Sequence, residues 1–130
     1  MEKWEEYFKG LIPRAMYDID IKFGEKKGLI LDLLNDDDTI TIEFGNIISF
    51  RVLEEGYVQT DVYCKDVVDK YKNSHFANVI YRVEGGKYAK DIKEIADGYI
   101  DAIDYYHFVI ITKNYNIDVI TEFLPKLYMD

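Results

Sequence analysis

The sequence predicts an α+β domain: a mainly antiparallel sheet, made of an N-terminal meander of about four strands and a C-terminal hairpin, covered by two or three helices. Three observations lead there. Apolar and polar residues alternate with a period of two through much of residues 14–53, broken by Gly, Asn and Asp clusters. Helical spacing replaces that alternation in three places. The strands also come in blocks instead of alternating one for one with helices, which disfavours a doubly wound sheet. At 130 residues the chain has the length of a single domain, residues 1–130.

Each element has its own signal. In residues 2–9, Trp4 and Phe8 stand four apart and share a face with Leu11, so a short helix is expected, ended by Pro13. Ala15, Tyr17, Ile19, Ile21 and Phe23 then alternate with Arg14, Asp18, Asp20 and Lys22 as in a strand with one wet face. Residues 24–28 form a turn with glycine at both ends, and 29–34 the returning strand. Asn35, Asp36, Asp37 and Asp38 form a second turn, because Asn and Asp side chains bond their own backbone. Ile40, Ile42 and Phe44 face inward from the next strand, with Thr39, Thr41 and Glu43 outward. Gly45-Asn46 reads as a tight hairpin into residues 47–53, where Ile48, Phe50 and Val52 alternate with Ser49 and Arg51.

Thr60 or Asp61 can cap a helix reaching about Lys72, striped by Val67, Val68 and Tyr71. Residues 79–83 are a short apolar run suited to a strand or an edge segment. After Gly85-Gly86, residues 88–96 read as a helix, with Gly98 where a C-cap belongs. Residues 106–112 and 117–121 are the last two strands, turned by Asn114-Tyr115-Asn116 and stopped by Pro125.

Charge is the strongest functional signal. The net charge of −9 is concentrated in residues 36–62, with seven acids against Arg51, and in residues 94–130, with seven acids against Lys113 and Lys126. Residues 63–93 carry the opposite balance. Such a chain repels nucleic acid and anionic membrane and attracts a basic protein. No apolar run approaches the ~20 residues that span a bilayer, and the first ten residues hold three Glu and no apolar core of a secretory signal. Cys64 is alone, which excludes an intrachain disulfide and a cysteine-based metal site. A cytoplasmic location is expected.

No catalytic constellation is legible. His75 and His107 are the only histidines. His107 has Asp104 three residues before it, but where a loop enters a strand that spacing defines no shared face, so it reads as a structural histidine at a strand start. Asp36, Asp37 and Asp38 are adjacent, unlike the alternating ligands of a calcium loop. Phosphate-binding glycine patterns and a G-x-S-x-G motif are absent, and Ser49 and Ser74 are the only serines. No cofactor, metal or catalytic residue is therefore expected. Asp97, Asp101 and Asp104, interleaved with Tyr99, Tyr105 and Tyr106, make an acidic-aromatic patch suited to Lys- and Arg-rich surfaces. The expected partner-binding residues are Asp97, Tyr99, Asp101, Asp104, Tyr105, Asp36, Asp37, Asp38, Glu54 and Glu55.

A resemblance sharpens this reading. Val79-Ile80-Tyr81-Arg82-Val83-Glu84, then Tyr88-Ala89-Lys90, Gly98, His107-Phe108-Val109-Ile110-Ile111-Thr112, Asn116-Ile117-Asp118-Val119-Ile120 and Pro125 resemble a class of small proteins of Bacillus-type bacteria thought to be immunity proteins of polymorphic toxin systems. It covers about the last 50 residues and departs at Gly85-Gly86, where the pattern has Asn-Ser, and at Phe108, where it has Tyr. It implies architecture and no catalytic residue. The resulting expectation is a non-enzymatic immunity protein that occludes the cleft of a basic toxin domain. A small-molecule-binding or enzymatic domain using His107 and nearby acids, and a structural subunit of an assembly, are the alternatives.

Overall fold

The computed structural model describes residues 2–54, 79–96 and 104–129. In chain order it holds β1 (Lys3–Tyr7), β2 (Asp18–Gly24), β3 (Gly28–Leu34), β4 (Thr39–Gly45), β5 (Ser49–Glu54), β6 (Ile80–Glu84), α1 (Lys87–Ile95), β7 (Tyr106–Ile111), β8 (Tyr115–Thr121) and β9 (Lys126–Met129). The strands form two antiparallel sheets, five-stranded β1-β6-β7-β8-β5 and four-stranded β2-β3-β4-β9. Their facing sides share one core: Leu29, Leu31, Leu33, Ile40 and Ile42 from one sheet meet Ile80, Phe108, Ile110, Ile117 and Val119 from the other.

The fold is thus a two-sheet β structure with one short helix among the described residues, which corrects the α+β expectation of a single sheet under two or three helices. Residues 2–9 are the first source of error. Lys3–Tyr7 is a strand paired to β6, Trp4 opposite Val83, with the Trp4 ring 5.3 Å from Tyr81 and Tyr7 5.0 Å from Phe108. So short a helix is marginal alone, and docking both aromatic rings on a sheet outweighs its weak local preference. The helix expected over 60–72 lies outside the described residues.

The second correction is topological. Gly45-Asn46 is a corner between layers, not a hairpin: β4 stays in the four-stranded sheet while β5 crosses to pair with β8, Arg51 opposite Asp118. The meander therefore has three strands. Its inward face is the expected one, with Ile40, Ile42 and Phe44 buried and Thr39 and Thr41 half-buried on the other side. Val52, expected inward, is 37 % exposed on its edge strand. Pro125 ends no sheet; it precedes β9, which completes the four-stranded layer beside β4. The last hairpin turns at residues 112–114, where Thr112 Oγ1 donates to the Tyr115 carbonyl at 2.8 Å, so Tyr115 and Asn116 already belong to β8. Strands β7 and β8 lie mid-sheet and are buried on both faces, which is why their sequences run apolar instead of alternating.

Candidate functional site

Buried charge gathers on the side of the five-stranded sheet that faces away from the shared core. Because β5, β8 and β7 lie side by side, Asp118 on β8 sits directly opposite Arg51 on one flank and Val109 on the other. His107, two residues earlier on β7, points to the same face. Arg51 Nε donates to Asp118 Oδ2 at 2.8 Å, and His107 Nε2 is 2.8 Å from Asp118 Oδ1. Since a carboxylate only accepts, Nε2 carries the hydrogen of that bond.

Helix α1 closes the group. Gly85 and Gly86 break the chain after β6, and Tyr88, Ala89 and Ile92 then pack with Ile48 and Ile120. The Tyr88 hydroxyl bonds Ser49 Oγ at 2.5 Å, its ring lies 4.4 Å from the Arg51 guanidinium carbon, and it stands 5.9 Å from the His107 ring. Gly86 lies flat on His107: a Cβ there would come within 2.9 Å of both Cε1 and Nδ1. His107 Nδ1 is buried and has no hydrogen-bond partner among the described residues.

Burial alone would raise the Asp118 carboxyl, but the His107 hydrogen bond and the Arg51 charge outweigh it and hold the group below the usual carboxylate range. Burial pushes the Tyr88 phenol up, against the Ser49 bond. Asp118 is fully buried and His107 nearly so, while Arg51 keeps about a quarter of its side chain in solvent. Chemically, the arrangement neutralises a buried carboxylate between two cation-capable partners and ties three strands and the helix together. With Nε2 committed to Asp118 and Nδ1 covered by Gly86, the imidazole offers no accessible nitrogen in this packing.

Sequence reasoning named only Asp104 near His107 and found no shared face between them; Asp104 is exposed ahead of β7, and the partner of His107 is Asp118. The available signal was an Asp inside the apolar run Ile117-Asp118-Val119-Ile120, since a buried charge demands a partner. Among the described residues no group of three His, Cys, Asp or Glu could hold a metal ion. His75 and Cys64 lie outside the described residues.

The acidic surface is split across the molecule. Asp97, Tyr99, Asp101 and Glu55 lie outside the described residues. Asp104 and Tyr105 precede Tyr106, which pairs with Thr121 at one end of β8, whereas Glu54 pairs with Tyr115 at the other end. The structure does not bring these two patches together. Asp36, Asp37 and Asp38 sit on the other sheet, in a turn built by Asn35, whose Oδ1 accepts from Asp37 N at 2.9 Å and Asp38 N at 2.8 Å. What sequence reasoning missed is their company. Asp18 pairs with Leu34, immediately before this turn, and Asp20 pairs with Asp32, so exposed Asp18 and Asp20 extend the acidic corner along β2. Asp20 and Asp32 are like charges directly opposed. Thr41 Oγ1 donates to Asp32 at 2.7 Å and Lys22 Nζ lies 2.9 Å from it; the Thr41 bond, with help from Lys22, holds the Asp32 carboxyl low.

Fold and site define a two-sheet antiparallel β domain with a closed Arg–Asp–His cluster under its one described helix and an acidic corner on the opposite layer. No family model, curated protein or solved structure matches the chain. Among the described residues no helix is long and apolar enough to cross a membrane.

Proposed function

We propose that this chain is a cytoplasmic binding protein that neutralises a basic protein partner, as an immunity protein does a toxin domain, by covering a cationic cleft. The observation that carries this reading is the acidic corner of the four-stranded sheet: Asp18 and Asp20 on β2 beside the turn of Asp36, Asp37 and Asp38, in a chain of net charge −9. On a flat sheet, alternate residues stand about 6.6 Å apart and neighbouring strands about 4.8 Å, so these carboxylates form a compact anionic array. Such an array steers a basic partner at long range and offers many acceptors to Arg and Lys on contact.

The test is association with a toxin domain encoded beside this gene, followed by surface plasmon resonance at two salt concentrations. The Asp36, Asp37, Asp38→Asn triple variant and the Asp18, Asp20→Asn double variant should each slow association, with less effect at high salt, where the Debye length falls to about 3 Å at 1 M. Unchanged rates in both variants, together with salt-independent binding, would defeat the proposal.

A further inference from the structure

Among the described residues the two sheets leave four edge strands: β1 and β5 on one layer, β2 and β9 on the other. Three of them are protected by charge. β1 carries Lys3, Glu5 and Glu6, β2 carries Asp18, Asp20 and Lys22, and β5 carries Glu54, its Arg51 being held against Asp118. Charged side chains along an edge discourage a foreign strand from pairing there. β9 differs. After Lys126 it reads Leu127-Tyr128-Met129, with Tyr128 50 % and Met129 46 % exposed, and the connection before it exposes Phe123 (57 %) and Leu124 (50 %). Among the described residues its backbone pairs on one side only, with β4 from Ile40–Met129 to Glu43–Lys126.

The surroundings of this edge specify the guest. Lys126 faces Glu43, and Met129 faces Ile40, two residues after the turn of Asp36, Asp37 and Asp38. A strand laid along β9 would therefore run toward the turn of Asp36, Asp37 and Asp38, while Asp18 and Asp20 lie on the opposite edge strand, and apolar anchors are available in Tyr128 and Met129. We propose that β9 is a docking edge that accepts an extended, basic segment of a protein partner as an added strand, main chain to main chain. This rests on the reading of the chain as a binder of basic proteins and names the edge it uses. Backbone pairing supplies the hold and alternate side chains the selectivity.

The experiment uses the full chain and two short synthetic peptides, one alternating lysine with valine and one alternating glutamate with valine, with backbone hydrogen exchange as the readout. The lysine peptide should slow exchange within residues 126–129, and the glutamate peptide should not. Tyr128→Lys, an exposed change that places a charge on the edge, should weaken binding by about tenfold or more, while Tyr128→Thr, which keeps an uncharged strand former, should retain most of it. Circular dichroism confirms that both variants fold. If the lysine peptide binds but protects only residues 18–24 or 35–38, or binds Tyr128→Lys as it binds wild type, strand addition at β9 is wrong and the basic-partner reading stands. If it binds nowhere at low salt, both fall.

Discussion

Asp118 and His107 bond across β8 and β7 at 2.8 Å although they are not paired residues: His107 stands opposite Ile120, and Asp118 opposite Val109. The diagonal reach leaves the position directly across from Asp118 on the other flank to Arg51, so one carboxylate serves two partners without competition. Removing the shared carboxylate strands both. Asp118→Ala should destabilise by about 3–5 kcal/mol, the cost of breaking a buried ion pair from one side. Asp118→Asn, which still fills the space, should cost less. Urea unfolding with an unchanged slope checks both.

Acid should reproduce part of that loss. The Asp118 carboxyl is held below its ordinary value of 3.8 in the folded protein, so the folded state favours its ionised form. The stability it adds is fully present above that ordinary value and is lost as pH falls through the lower folded one. Asp32, held low chiefly by Thr41, acts in the same direction. Melting temperature measured from neutral pH downward should drop below about pH 4. Asp118→Asn should show a shallower acid limb, and parallel curves would show that this carboxyl does not contribute.

Gly86 tests how tightly the helix start is pressed on His107. Its φ of −74° suits any residue, so Gly86→Ala carries no backbone strain, and its cost is the Cβ placed 2.9 Å from the imidazole. A loss of about 1–3 kcal/mol is expected, as for an overpacked site. Combined with His107→Ala the two losses should fall short of their sum, because the smaller side chain vacates the space. Additivity within about 0.5 kcal/mol would mean that the two do not meet.

Gly28 and Gly10 separate crowding from conformation. Both have positive φ, 71° and 78°, but a Cβ at Gly28 would lie 1.9 Å from the Gly45 carbonyl oxygen, whereas at Gly10 nothing lies within 4 Å. Gly10→Ala should cost about 1–2 kcal/mol for the left-handed backbone alone. Gly28→Ala should cost clearly more, since β3 and β4 must part where their pairing already shifts register beside Leu29. Equal melting temperatures for the two variants would refute the contact.

The strands were legible where one face is wet. Ile40, Ile42 and Phe44 alternate with threonines and glutamate because their sheet has a solvent side, and the two-residue period reports it directly. It could not report which sheet a strand joins. Gly45-Asn46 has hairpin chemistry, and only the pairing of β5 with β8, far along the chain, makes it a corner. Trp4 and Phe8 fit a helical face, and a partner strand far along the chain decides otherwise, with Glu5 opposite Arg82 and Tyr7 opposite Ile80. The Arg51–Asp118–His107 cluster was hidden for the same reason. Its members come from three strands, and a turn placed at 114–116 instead of 112–114 turns His107 and Asp118 away from each other.

The interleaving of the two layers also sets an order of assembly. The β2-β3-β4 meander needs only residues 18–45 and short loops, so it can close early. β1 is synthesised before it yet has nowhere to go until β6 exists, and β5 waits for β8. β9 must then return from the far layer to finish the sheet that formed first. During translation, therefore, Trp4 and Tyr7 leave the ribosome long before their docking strand, and the apolar side of the meander is not fully covered until Phe108, Ile110, Ile117 and Val119 arrive. A cell making this protein has an interval to guard, and its length is set by elongation rate and not by the chemistry of any single contact.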